Sequence, residues 1–296
     1  MTRLTHPEPS LFEKITSRIS RKLHPYRKSP ITYQYKAFAI ELPPYHQLPE
    51  HQKRHPKYDR FLPHLARCVD PAETIVDIGA NVGDTLAGMV EQNARPTYVC
   101  IEPDDAFHRH LENNVERIRA SVSGLRVEII KALVGKNVSN VALVGERGTK
   151  HAVASGPGGI ESSPLDELIG PGHKVRLLKS DVDGFDYDVL DSSMAIISRD
   201  GPMIFFECQY ENEHQLVAYR KTLESLESAG YRDWTLFDNF GEVLLRTDDL
   251  NAVNQLLDYV WRQNTGRATR TIYYFDILAV RKDDSTLIDR VLSGYT

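Results

Sequence analysis

Short apolar runs rich in β-branched residues recur through the middle of the chain, at Thr74–Ile78, Thr97–Ile101, Val127–Ala132, Val175–Ser180 and Met203–Glu207. Each has the length of a strand buried on both faces. Helical patterns separate most of them, as in Asp105–Ile118 and Tyr187–Ile197. Strands alternating with helices predict a mostly parallel sheet with covered faces and right-handed crossovers, an α/β fold. The alternation lapses between Val134 and Asp166, where Val141–Val144 predicts a small extra strand and Gly156-Pro157-Gly158-Gly159 a mobile loop.

The flanks differ. Gln215–Ala229 has helical periodicity closed by Gly230. Trp234–Phe237 and Glu242–Arg246 then flank Asp238-Asn239-Phe240-Gly241 in a hairpin-like pattern. A helix near Leu250–Arg262 precedes Ile272–Val280, which reads as the final buried strand. Upstream, Tyr58–Ala66 is expected to be helical, and Leu11–Leu23 could form a short amphipathic helix. Pro43-Pro44, Pro49 and Pro56 break the chain repeatedly. Residues 1–57 therefore read as a proline-rich arm with a short helix, and residues 58–296 as one α/β domain.

Composition narrows the classes. A chain of 296 residues can bury a full core. The net charge of -5 argues against a general affinity for nucleic acid. Basic residues nevertheless concentrate in the arm (Lys14, Arg18, Arg21, Lys22, Arg27, Lys28 and Lys36). A solvated helix face accounts for them, a patch for a membrane surface or complex being the alternative. No apolar run reaches the roughly 20 residues of a membrane span, and the start lacks the apolar core of a secretory leader. A cytoplasmic protein is expected; homo-oligomerisation is left open. Cys68, Cys100 and Cys208 show no metal spacing.

The most informative stretch is Val76-Asp77-Ile78-Gly79-Ala80-Asn81-Val82-Gly83-Asp84-Thr85. An apolar strand ends in an acid, passes a glycine-rich turn and enters a helix, the place where open α/β sheets bind ligands. A dinucleotide site would show G-x-G-x-x-G around a pyrophosphate. Here the spacing is Gly79-x-x-x-Gly83, and Asp77 would repel a pyrophosphate while suiting an ammonium and a sulfonium, which favours S-adenosylmethionine. Glu102, ahead of Pro103 at the end of the next strand, is placed to accept both ribose hydroxyls. Gly79, Ala80, Asn81, Gly83, Thr85, Pro103, Ala132 and Asp181 complete the expected cofactor contacts.

A second group of acids ends the following strands: Asp181 and Asp183 before Gly184, and Glu207 after Phe206. Neighbouring strands lie about 5 Å apart, so these carboxylates should share the edge that binds the cofactor. A hydroxyl is a poor nucleophile until it loses its proton, and a base or cation nearby lowers that barrier. One of these acids, or His151 ahead of the glycine-rich loop, could take the proton; a divalent cation on Asp181 and Glu207 is the alternative. Asp238 and Asn239 are candidates for acceptor binding. His6, His24, His46, His51, His55 and His64 have no convincing ligand spacing and are treated as arm residues.

These residues resemble the FkbM family of methyltransferases over roughly Thr74 to Val280. The resemblance rests on the Asp77–Asp84 block, on Lys179-Ser180-Asp181-Val182-Asp183-Gly184-Phe185, and on Phe206-Glu207. The Phe237–Gly241 turn and Tyr273-Tyr274-Phe275-Asp276-Ile277 are similar to the branch found with surface-polysaccharide genes. Asp183 stands where the family usually has Glu. The resemblance implies a Rossmann-like class I methyltransferase fold, seven strands with the last antiparallel, and O-methylation of a sugar hydroxyl in a surface glycan or glycosylated intermediate. A secondary-metabolite acceptor, or a non-catalytic scaffold in a glycan assembly complex, are the competing readings. DNA amino-methylation and RNA ribose methylation lack their expected blocks.

Overall fold

The computed structural model describes residues 29–92, 94–136, 141–144, 151–154, 159–266 and 271–295, with backbone alone for 141–144, 151–154 and 266. The Leu11–Leu23 segment, the basic residues from Lys14 to Lys28 and the loop at 156–158 lie outside the described residues. The chain begins with a hairpin, β1 (Ile31–Gln34) and β2 (Ala39–Leu42), followed by helices α1 (Leu48–Arg54) and α2 (Phe61–Ala66). The alternating region gives β3 (Thr74–Ile78), α3 (Asp84–Glu91), β4 (Thr97–Ile101), α4 (Asp105–Ser121) and β5 (Arg126–Ile130). The irregular interval holds β6 (Leu133–Val134), β7 (Val141–Val144), β8 (His151–Ala154), β9 (Ser162–Ser163) and α5 (Leu165–Leu168). Then come β10 (Val175–Ser180), α6 (Asp186–Asp191), α7 (Met194–Asp200), β11 (Met203–Cys208) and α8 (Glu213–Ser228). The chain closes with β12 (Tyr231–Asp238), β13 (Val243–Thr247), α9 (Leu250–Gly266), β14 (Phe275–Arg281) and α10 (Ser285–Ser293).

Among the described residues the central sheet runs β13-β12-β14-β11-β10-β3-β4-β5. Strands β11, β10, β3, β4 and β5 are parallel neighbours, and β14 is antiparallel to β11 on one side and β12 on the other. This is the Rossmann-like sheet with an antiparallel last strand. It has eight strands rather than seven, because β13, the return arm of the hairpin expected around residues 238–241, pairs with β12 and extends the edge.

Side-chain alternation sorts the strands onto two cores. Ile75, Tyr98, Cys100 and Leu177 face one cluster, with α2, α3, α4 and α10 above it. Val76, Val99, Leu178 and Ile204 face the other, beneath α6 to α9. The helix expected over Tyr187–Ile197 is split: the hydroxyls of Ser192 and Ser193 donate to the carbonyl of Val189 at 2.8 and 2.7 Å, and the backbone turns between α6 and α7.

The later part of the proline-rich arm is packed against the sheet domain. Tyr35, Phe38, Ile40, Leu42 and Leu48 are buried with the first core. Asn114 of α4, 1% exposed, fastens it. Its Nδ2 donates to the carbonyls of Glu41 (2.9 Å) and Val82 (2.8 Å), and its Oδ1 accepts from the Glu41 amide (2.8 Å). One side chain thereby joins the arm, the glycine turn and α4.

Candidate active site

The glycine turn leaves β3 through three residues of positive φ: Gly79 (+74°), Asn81 (+48°) and Gly83 (+83°). At Gly79 nothing larger fits, since a Cβ there would lie 2.0 Å from the carbonyl oxygen of Asp181. The turn is pinned from both sides. The amides of Gly79 and Ala80 donate to Ile101 O at 3.0 and 3.1 Å, and the Asp181 amide donates to Ile78 O at 3.1 Å. Glu102, buried at the end of β4, accepts from the amides of Asn81 and Asp104, each at 2.9 Å. Burial pushes its carboxyl up to about 7 despite those two bonds.

Asp77 is fully buried and faces a cation of the chain itself. It is the register partner of Lys179 on β10, and the Lys179 ammonium lies 2.9 Å from its Oδ1. Lys179 also donates to Gly79 O at 2.9 Å and lies 3.8 Å from Asp181. Burial pushes the Asp77 carboxyl above its ordinary value while Lys179 opposes the shift. The Lys179 ammonium is held above its ordinary value: burial opposes the charge, but Asp77 and Asp181 outweigh it. Desolvation thus makes this pair interdependent, each charge being tolerable only with the other.

Beside the turn opens a cavity of about 510 Å³. Of the residues expected from the sequence, Gly79, Asn81, Thr85, Asp181, Asp183 and Glu207 line it together. Asp181 is exposed, and Asp183 takes a left-handed backbone, φ +53°. Glu207 is 8% exposed, and its Oε2 has no hydrogen-bond partner. Burial and the nearby Asp181 and Asp186 push its carboxyl well above the ordinary range. Tyr219 holds the backbone here by donating to Glu207 O at 3.2 Å. Ser180 donates to the buried Asp186 at 2.5 Å.

Other expected residues stand apart from this cavity. Asp77 lies beneath the turn, Ala80 and Gly83 lie within it, and Glu102 and Pro103 sit at the end of β4. Ala132 follows β5 and packs on the second core. Asp238 Oδ1 accepts from the amides of Phe240 (2.9 Å) and Glu242 (3.0 Å), and Asn239 Oδ1 accepts from the Tyr273 amide (3.0 Å). These two oxygens serve the turn and its neighbour, whereas Gly241 of the same turn reaches the cavity. His151 begins β8, which pairs with β7; its side chain is outside the described residues. Among the described residues no group of three or more His, Cys, Asp or Glu is disposed to hold a metal ion.

Part of the wall lies outside the glycine turn and the strand-end acids. The arm contributes His46, His51 and Lys57, the segment before α2 contributes Tyr58 and Asp59, and β14 with its approach contributes Asp276 and Tyr274. The arm is fixed there by Lys57, whose ammonium is 2.7 Å from Glu242 and whose carbonyl packs where a Cβ on Gly241 would stand, at 2.3 Å. A lysine inside an otherwise apolar strand needs a buried partner, and Lys179 finds it in Asp77.

The glycine turn at the end of a parallel strand, the acids closing the next strands and the antiparallel last strand together define a Rossmann-like class I methyltransferase fold. A model described as the methyltransferase FkbM domain matches residues 77–232, and the chain belongs to that family. Among solved structures the chain is similar to the FkbM methyltransferase from Methylobacillus flagellatus KT, with 16% identity and a TM-score of 0.46. That match covers 79% of this chain and 58% of the other. It is also similar to precorrin-6y C5,15-methyltransferase from Geobacter metallireducens, with 11% identity and a TM-score of 0.41, over 75% of this chain and 87% of the other. The plantazolicin methyltransferase BpumL in complex with SAH shows 9% identity and a TM-score of 0.40, over 79% and 89%. No curated protein matches significantly. The described residues contain no helix long and apolar enough to cross a membrane.

Proposed function

We propose that this chain is an S-adenosylmethionine-dependent O-methyltransferase acting on a sugar hydroxyl of a surface glycan or glycosylated intermediate. The observation that carries this reading is Glu207, a buried carboxylate with an unpartnered oxygen in the wall of a cavity that begins at the glycine turn. A buried carboxylate oxygen without a donor is costly unless a ligand supplies one.

The residues present fit the methyl donor. The Gly79 backbone leaves no room for a side chain of its own, Asn81 and Thr85 line the cavity, and Glu102 keeps acceptor capacity at the end of β4. S-adenosylmethionine supplies a methyl group already activated by its sulfonium. The protein then has three tasks. The turn and Glu102 hold and orient the donor. The cavity walls exclude water and align the acceptor hydroxyl for in-line displacement. Glu207 Oε2 takes the hydroxyl proton. Burial and the neighbouring acids raise its pKa, which makes it a stronger base once ionised.

The test is transfer of a labelled methyl group from S-adenosylmethionine to glycan extracts, with mass analysis of the product. The expected result is a methyl increment on a sugar oxygen, and at least a hundredfold loss of transfer in Glu207→Gln with S-adenosylhomocysteine binding retained. Methylation at nitrogen or carbon, or full transfer by Glu207→Gln, would overturn it.

A further inference from the structure

Glu207 is not the only carboxylate in its part of the cavity. Its register partner across the β11–β14 ladder is Asp276, and both line the cavity. Directly opposed residues on antiparallel strands hold their Cβ atoms about 5 Å apart. Asp59, exposed, and Asp181 and Asp183 line the same space. The cations nearby already have partners: Lys179 lies 2.9 Å from Asp77 and 3.8 Å from Asp181, and Lys57 lies 2.7 Å from Glu242. His51, pushed down by burial and by neighbouring His55, is neutral at physiological pH.

The methyl donor does not account for this charge. Glu207 and Asp276 lie on strands two and three places from β3, roughly 10 and 14 Å across the sheet at the usual strand spacing. They stand away from the glycine turn, in a part of the cavity that Tyr58 and Tyr274 also line. Burial favours the protonated form of both acids, and an anionic acceptor would hold them there, while a neutral one brings no charge that lets the pair ionise. An ammonium, a donor of three hydrogen bonds, restores the balance.

We infer that the acceptor is a cationic amino sugar, its ammonium held by Asp276 and the hydroxyl beside that ammonium meeting the unpartnered Oε2 of Glu207. This rests on the reading of the chain as a sugar O-methyltransferase and adds the charge of the substrate. The ammonium also stabilises the ionised form of Glu207, so the base is set when the correct acceptor arrives. Phosphorylated or uronic-acid sugars are rejected by the same field.

The experiment is calorimetric titration of the full chain, first with S-adenosylhomocysteine and then, on the loaded protein, with three probes. These are the methyl glycoside of glucosamine, methyl glucoside and glucose 6-phosphate, at pH 7 in two buffers of different ionisation enthalpy. The expected result is binding of the amine at least tenfold tighter than of the neutral sugar, with proton release on binding and no measurable affinity for the phosphate. In Asp276→Asn the preference for the amine should fall to threefold or less. Equal affinities, tighter binding of the phosphate, or no gain for the amine, including no binding of any probe, would overturn the inference. Failure of the first titration would instead remove the methyltransferase reading beneath it, so the two failures are distinct.

Discussion

The ammonium of Lys179 lies 2.9 Å from the carboxylate of Asp77, each residue the other's register partner on adjacent parallel strands and both buried. The glycine turn is built directly on this pair, because Lys179 also holds the Gly79 carbonyl at 2.9 Å.

Replacing Lys179 by methionine leaves Asp77 buried in the sheet without its cation. Breaking a buried pair on one side costs about 3–5 kcal/mol, so Lys179→Met should lose that much in urea denaturation. Adding Asp77→Asn should recover more than half of the loss. If the single variant is as stable as the parent, the pair does not hold the turn.

Asn114 joins the arm to the glycine turn by three hydrogen bonds. Asn114→Ala should cost about 2–3 kcal/mol from the lost bonds and the groups left without partners. Hydrogen exchange should rise at residues 39–42 and at the turn together, while the amides of β11 and β14 stay protected. Exchange confined to the turn would show that the arm is held by its apolar contacts alone.

Stability should fall as pH rises from about 4 to about 7. Glu102 and Asp186 are buried, and desolvation pushes each carboxyl up to about 7 from ordinary values of 4.5 and 3.8. Over that window the folded protein keeps protons that the unfolded chain has released, so unfolding becomes easier with each step upward. Asp77, Glu207 and Asp276 shift in the same direction and steepen the decline. Denaturation of the ligand-free protein at pH 5 and pH 7.5 measures it, and Asp186→Asn should flatten the slope. A rise in stability over this range would contradict the assignment of buried, protonated acids.

The parallel half of the sheet was legible because its strands are apolar runs with clear ends; Thr74–Ile78, Thr97–Ile101 and Val175–Ser180 are observed at the expected bounds. The eighth strand was hidden in a hairpin whose second arm has no fully buried residue and a half-buried, irregular pattern, so nothing in it announced membership of the central sheet. The turn, Asp181, Asp183 and Glu207 were legible because glycines and acids at strand ends carry a physical meaning on their own. His46, Tyr58, Asp59 and Asp276 were not. Their place in the cavity follows from how the arm and β14 pack across the sheet edge, a long-range relationship that no local spacing encodes. Asp77 shows the intermediate case. Its position was legible, and its partner, Lys179, was visible only once the strand register was known.

The glycine turn is proposed as the seat of the methyl donor. Titrating S-adenosylhomocysteine into the parent protein and into Gly79→Ala, where the new Cβ would stand 2.0 Å from Asp181 O, tests it most directly. The predicted result is one-to-one binding by the parent, weakened more than tenfold in a variant that retains its far-ultraviolet circular dichroism. Absence of binding by the parent, or equal affinity in a folded Gly79→Ala, would contradict it.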